Sequence, residues 1–274
     1  MRGRKQLKEG TAFIFNYHRP PRPTGEGFEE FASSHFIKGI IMITIYPFNS
    51  LGGHKLPWLD SKFHFSFADY YNPQRMNFGK LRVINDDIIK AHTGFDTHPH
   101  RDMEIITYVR SGAISHKDST GNSGKTIAGD VQVMSAGTGI RHSEQNLEDD
   151  DTTLYQIWIE PHTKGVQPGW DQKQFPKELC TDSLKLLVSG RKEDQDKDVL
   201  HINQYASIYG GNIASGTTIE HNIKDQAYIL VSKGKINLDD KELKKGDGAE
   251  ITNQKSLIIT ALEDAEVLVI DVPA

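Results

Sequence analysis

Cysteine is almost absent from the chain: Cys180 is the only one in 274 residues. That excludes an internal disulfide framework and any zinc site built from several thiolates, and a reducing compartment is the expectation. Long apolar runs are missing as well. The longest, from Gly39 to Tyr46, falls far short of the ~18–20 residues that span a bilayer. The basic start, Met1-Arg2-Gly3-Arg4-Lys5, is not followed by an apolar segment of signal-peptide length. The chain is therefore read as cytoplasmic, with no membrane partner. Nor is there an excess of positive charge: 32 Lys and Arg stand against 37 Asp and Glu, a formal net charge of −5. Coating nucleic acid through net charge needs the opposite balance, so direct nucleic-acid binding is not expected.

What the chain has in quantity is turn-formers, with 24 Gly and 11 Pro. From about Ile40 it reads as short strands between turns, and no stretch of 15 residues sustains a helical stripe. Residues 63–67 alternate aromatic and polar. Met103 to Val109 is rich in β-formers, Ser111-Gly112 turns the chain, and Ala113 to His116 starts a return strand. Gly129-Asp130 leads into Val131 to Met134, and Leu154 to Ile159 forms a further strand. This pattern predicts an all-β fold of antiparallel strands, a sandwich or barrel. Pro161, Gly165, Pro168, Gly169 and Pro176 mark a boundary at 161–183, after which the pattern resumes. Gly234 follows Gly112 by 122 positions and Gly246 follows Gly129 by 117, which points to a duplicated β domain. The expected organisation is an extension over 1–41, poorly ordered, a first barrel over 42–160, a linker over 161–183 and a second barrel over 184–274.

The chemistry gathers in two short segments. Thr97-His98-Pro99-His100 places two imidazoles at i and i+2, on one face of a strand. About 40 residues later, His142-Ser143-Glu144 does the same with an imidazole and a carboxylate. Among 12 His, an accidental His-x-His is expected about 0.5 times, and His116-Lys117-Asp118 shows that His-x-acid arises readily as a decoy. Taken together, two strands that each carry two ligands can close a four-ligand site for one divalent ion. Three imidazoles and a carboxylate suit Fe(II), Mn, Ni, Co, Cu or Zn. Spacing alone leaves open whether Glu104 or Glu144 is the carboxylate.

At these residues the chain resembles the cupin superfamily. His98-Pro99-His100, Glu104 and Gly112 match its first motif, and Gly139, His142 and Asn146 match its second. Longer stretches resemble the pirin family, whose bacterial members include proteins described as quercetin 2,3-dioxygenases. These stretches are His64 to Tyr71, Leu81 to Asp87, His98 to Glu104 and Met134 to Glu144, where Gly137 stands in place of the usual cupin Pro. The resemblance covers about 42–274. It implies two jelly-roll barrels in tandem, a bicupin, with one ion, Fe(II) first, held by His98, His100, His142 and Glu144. Glu104 then becomes an acceptor that orients a ligand imidazole. The implied activity is ring opening of a flavonol such as quercetin with O₂, with Glu144 also serving as base, on a chain read as a monomer. An alternative is a metal-containing, redox-responsive co-regulator that binds a protein partner; a third is a bicupin whose metal only rigidifies the barrel.

The remaining histidines are assigned lesser roles. His64 reads as a packed strand residue, His92 as a neighbour of the site, and His54, His116, His162 and His201 as surface. In the second repeat His221 falls near the first motif, with Asn222 opposite His100 by offset, and Ile258-Ile259-Thr260 replaces the second motif. That copy is expected to hold no metal, and Cys180 to be inert.

Overall fold

The computed structural model describes residues 42–274; the expected N-terminal extension lies outside the described residues. The strands of the first half are β1 (Met42–Tyr46), β2 (Gly52–Lys55), β3 (Leu59–Phe63), β4 (Leu81–Ile89), β5 (Thr93–His100) and β6 (Glu104–Ser111). They continue with β7 (Ala113–Asp118), β8 (Ser123–Ile127), β9 (Val131–Ser135), β10 (Ile140–Asn146) and β11 (Thr152–Ile159). Next come β12 (Gly169–Lys173), β13 (Leu179–Cys180), β14 (Lys185–Ser189), β15 (Leu200–His201) and β16 (Ser207–Ile213). The last are β17 (Thr218–Asn222), β18 (Gln226–Lys233), β19 (Lys235–Leu238), β20 (Lys241–Lys244), β21 (Gly248–Thr252), β22 (Ser256–Ala261) and β23 (Ala265–Val272). Among the described residues the only helices are two single 3₁₀ turns, and none is long and apolar enough to cross a membrane.

The strands form two cupin barrels in tandem, each made of two sheets. In the first, the large sheet runs β12-β9-β6-β11-β4-β3-β2 and the small one β5-β10-β7-β8. In the second, the corresponding order is β21-β18-β23-β16 and β17-β22-β19-β20. The duplication read from the glycines is thus repeated strand for strand. Gly112 and Gly234 turn β6 into β7 and β18 into β19 with φ of 73° and 74°. That left-handed region is open to glycine at no steric penalty.

Alternation decides what each strand buries. On the large sheets, one face of each packs against the other barrel: Ile84, Ile106, Tyr155 and Ile157 meet Ile208, Tyr228, Leu268 and Ile270 in one core cluster. The opposite face fills its own barrel. The second barrel's interior is apolar from Ile219 and Ile229 to Ile259 and Val269, with His221 buried beside it. The first barrel's interior is divided into two smaller apolar groups, one around Leu59, Ile89 and Leu154 and one around Val83, Met134 and Trp158. What interrupts it is polar.

Three elements depart from the linear reading. β1 pairs with β21, so residues 42–46 complete the second barrel's sheet instead of the first's. The stretch read as a linker holds β12, which extends the first barrel through β9, and β13, which runs parallel to β16. The alternation at 63–67 is not a strand: β3 ends at Phe63, and His64 and Phe65 are buried in irregular backbone. Cys180 is buried.

Candidate metal centre

The small sheet of the first barrel carries the histidines. β10 lies between β5 and β7, and its register sets His142 directly across from His98 on one side and Asp118 on the other. Glu144 faces His116 across β7. A bulge between His142 and Glu144 shifts the pairing with β5, so Glu144 meets Phe95 instead of a ligand; bulges re-aim side chains in this way. Gly137 makes the turn into β10 at φ 44°, and a Cβ there would meet the Val166 carbonyl oxygen at 2.0 Å. Glycine is required where cupins generally carry Pro.

His98, His100 and His142 converge. Their ring centroids are 4.8 Å (98–100), 4.5 Å (98–142) and 4.9 Å (100–142) apart. Each offers a nitrogen within 4.8 Å of the others'. A second triad, His116, His142 and Glu144, meets the same distance and shares His142. Among the described residues, the four predicted ligands do not fall into one such group: Glu144 is beside His142 but set deeper.

Burial sets the charge states. It lowers the basicity of His142, with the neighbouring imidazoles adding to the effect, and takes His100 down to about 3, helped by His98. His98 is lowered by burial too, partly offset by its Nδ1 contact with the Asp96 carbonyl at 2.7 Å. These rings are neutral at pH 7, the form that ligates metals. The His142 Nε2 is buried with no hydrogen-bond partner. Leaving such a group unmet costs about 1–3 kcal/mol.

Glu144 is 1% exposed. One oxygen accepts from Gln132 Nε2 at 2.7 Å and Thr107 Oγ1 at 3.1 Å, and the other accepts from Gln156 Nε2 at 2.7 Å. Burial outweighs these three bonds and pushes its pKa up to about 7. Asp87, in the same interior, is also pushed to about 7 by burial, against its bond from Ser61. Neutral imidazoles beside a carboxylate that resists ionisation lack one thing, a cation. The donor set therefore fits a divalent metal.

The second barrel shows the same framework with this layer removed. Register places Ile229, Ala249 and Val269 where the first has Thr107, Gln132 and Gln156. Leu257 and Ile259 take the places of His142 and Glu144, and Leu238 that of His116. His221 alone persists, across from Leu257 as His98 is from His142. The residue matching His100 is then Ile223 instead of Asn222.

Several sequence assignments change. Glu104 does not orient an imidazole. It is buried and accepts from Ser135 Oγ at 2.6 Å and from the Asn203 backbone N–H at 3.1 Å, a contact between the two barrels. Between His100 and Glu104 the chain turns at Asp102, φ 49°, and passes from the small sheet to the large one, which takes Glu104 away from the imidazoles. His116 is not on the surface but 2% exposed, stacked on Trp170 with centroids 4.8 Å apart and an interplanar angle of 7°. His92 pairs with Asp149 on the exterior, away from the cluster. His64 is packed as expected, its Nδ1 3.0 Å from Tyr228 Oη. His162 and His201 are exposed, while His54 is half-buried. Thr107, Gln132 and Gln156 were not singled out by any motif. The signal for them is the repeat itself: the same offsets pair Thr107 with Ile229 and Gln132 with Ala249.

A histidine cluster on the small sheet of one of two tandem antiparallel barrels defines a bicupin with one candidate metal centre. Within that class the chain belongs to the pirin family. Residues 47–159 match the pirin family itself, and residues 186–272 match the quercetinase C-terminal cupin domain. A pirin-like protein of Caulobacter vibrioides is 49% identical over 232 residues, covering 84% of this chain and 99% of that protein. The quercetin 2,3-dioxygenase of Escherichia coli is 40% identical over 235 residues, covering 85% and 99%. Among solved structures, the bacterial pirin YhhW from Escherichia coli in complex with nickel(II) superposes with a TM-score of 0.78 at 40% identity, covering 85% of this chain and 99% of that one.

Proposed function

We propose that this chain is a metal-dependent dioxygenase that opens the ring of a flavonol such as quercetin with O₂. The observation that carries the reading is the triad of neutral imidazoles with the unpartnered His142 Nε2, set beside a carboxylate poised near neutrality. His98, His100, His142 and Glu144 would hold one divalent ion, Fe(II) in this reading. When bound, that ion supplies a Lewis acid for the enolic oxygen of the substrate and a meeting point for O₂.

The chain's own residues do the rest. In this reading Glu144, the carboxylate beside His142, would also take the proton of the substrate hydroxyl. Gln132, Gln156 and Thr107 fix its two oxygens while it does so. Trp158 packs edge-on against His100 at 4.9 Å and against Phe67 at 5.5 Å. With Met103, Ile105, Met134 and Ile140 it forms a buried apolar cluster beside the imidazoles. The relatives' names point to the same substrate class. The test is aerobic incubation of metal-loaded protein with quercetin, followed as loss of flavonol absorbance. Metal-loaded wild type should bleach the flavonol and metal-free protein should not. No bleaching with any of Fe(II), Mn(II), Ni(II) or Cu(II) bound defeats the reading.

A further inference from the structure

We propose that His116, anchored by Asp118, is a positioning residue for His142: it holds the proton of His142 on Nδ1 and so presents Nε2 bare to the metal. The inference rests on the reading of this cluster as a metal site.

The Asp118 carboxylate accepts from Thr120 N at 2.8 Å, Thr120 Oγ1 at 2.7 Å and Asn122 N at 3.1 Å on one oxygen. Its other oxygen accepts from Asn122 Nδ2 at 3.2 Å and faces His116 Nε2 at 3.1 Å. A carboxylate surrounded by that many donors is ionised and has no proton to give, so His116 must donate through Nε2. A neutral imidazole carries one N–H, which leaves the His116 Nδ1 as an acceptor. That atom lies 3.4 Å from the His142 Nδ1. Two lone pairs do not face each other at that distance, so the proton between them belongs to His142. Its Nε2 is then unprotonated, and it is the buried atom with no hydrogen-bond partner.

The surroundings keep the relay in place. His116 and Asp118 sit on β7 directly across from Glu144 and His142. Trp170, supplied by β12, stacks flat on the His116 ring and leaves it little room to turn. In the second barrel the positions of His116 and His142 are both leucine, Leu238 and Leu257, whereas the place of His98 is still a histidine. The positioning histidine and the ligand it would orient are absent together. Metal-bound histidines are commonly oriented by a partner on the second ring nitrogen.

Long-range ¹H–¹⁵N correlation spectra of the metal-free, ¹⁵N-histidine-labelled protein read the tautomers directly. The expected result is His142 as the Nδ1–H form and His116 as the Nε2–H form; His142 as the Nε2–H form overturns the proposal. His116→Phe keeps a ring against Trp170 and removes both nitrogens. It should retain one Ni(II) per chain, weaken its affinity about 10- to 100-fold, and convert His142 to a mixture of tautomers. Unchanged affinity overturns the proposal. So does X-ray absorption of the nickel-loaded wild type showing four imidazoles, since His116 would then be a ligand itself. Should the variant not fold, the wild-type spectrum decides alone. None of these readouts involves turnover: the relay can stand in a protein that leaves quercetin intact, and flavonol bleaching can persist if the relay fails.

Discussion

Glu144→Gln separates the carboxylate from everything else in the site, and its effect on metal affinity can be worked out in advance. In the metal-free protein Glu144 has a pKa of about 7, raised by burial from an ordinary 4.5. Metal binds the ionised form, so wild-type affinity is full above pH 7 and falls as the pH drops through it. At pH 5 only about 1% of the carboxyl is ionised, so affinity is lower by about 100-fold, or about 2.7 kcal/mol. The imidazoles contribute little slope over that interval. His100 stays neutral down to about 3 and His142 is lowered as well, each by burial first. His98 is lowered too, by burial first, and its contribution is shared by both proteins. Glutamine keeps the shape and cannot titrate. Ni(II) titrations at pH 5, 6, 7 and 8, run calorimetrically in two buffers to count released protons, should show wild type gaining nearly all of its 100-fold before pH 8. Glu144→Gln should bind weakly throughout and nearly flat. Equal slopes in the two proteins would refute the assignment of that proton to Glu144. The stability of the metal-free protein runs the other way. A carboxyl raised from 4.5 to about 7 favours the folded state at low pH and loses that contribution as pH rises from 4.5 through 7.

Glu104→Gln should leave the metal bound, because its partners are Ser135 and Asn203; it should lower stability by about 1–2 kcal/mol, read as a melting shift at constant metal content. His221→Ala should leave metal content at about one ion per chain, since Leu257 and Ile259 surround it in place of ligands; elemental analysis checks this, and loss of metal would contradict it. His64 is buried and neutral, its pKa taken down to about 3 by burial first and by Arg75 and Arg110 after it. Its contribution to folding is therefore complete above about pH 6.5 and is lost as pH falls toward 3. Denaturant midpoints measured across that range should show a shallower acid limb, by up to one proton, for His64→Gln than for wild type.

How far the site is legible in the sequence depends on whether its parts are local. His98 with His100, and His142 with Glu144, need only the alternation of a strand; the register of β5 with β10 brings His98 to His142, while the bulge that sets Glu144 against Phe95 has no mark in the spacing. The apolar replacements in the second copy are legible because isoleucine stands at the offset of the second motif. Glu104 is misread because the turn at Asp102 carries it from the small sheet to the large one. The burial of His116 depends on Trp170, which arrives from a stretch whose Pro and Gly content reads as linker. β1 joins the far barrel through pairing over about 200 positions, which no local pattern encodes. The polar layer of Thr107, Gln132 and Gln156 looks like ordinary strand sequence until it is set beside its apolar counterparts in the repeat.

The measurement that bears most directly on the account is an anomalous-difference map from crystals of the nickel-loaded protein. It should show one peak per chain, in the first barrel, with His98, His100, His142 and Glu144 as its protein ligands and no density in the apolar interior behind His221. A peak ligated by Glu104, or a second peak in the second barrel, would contradict it.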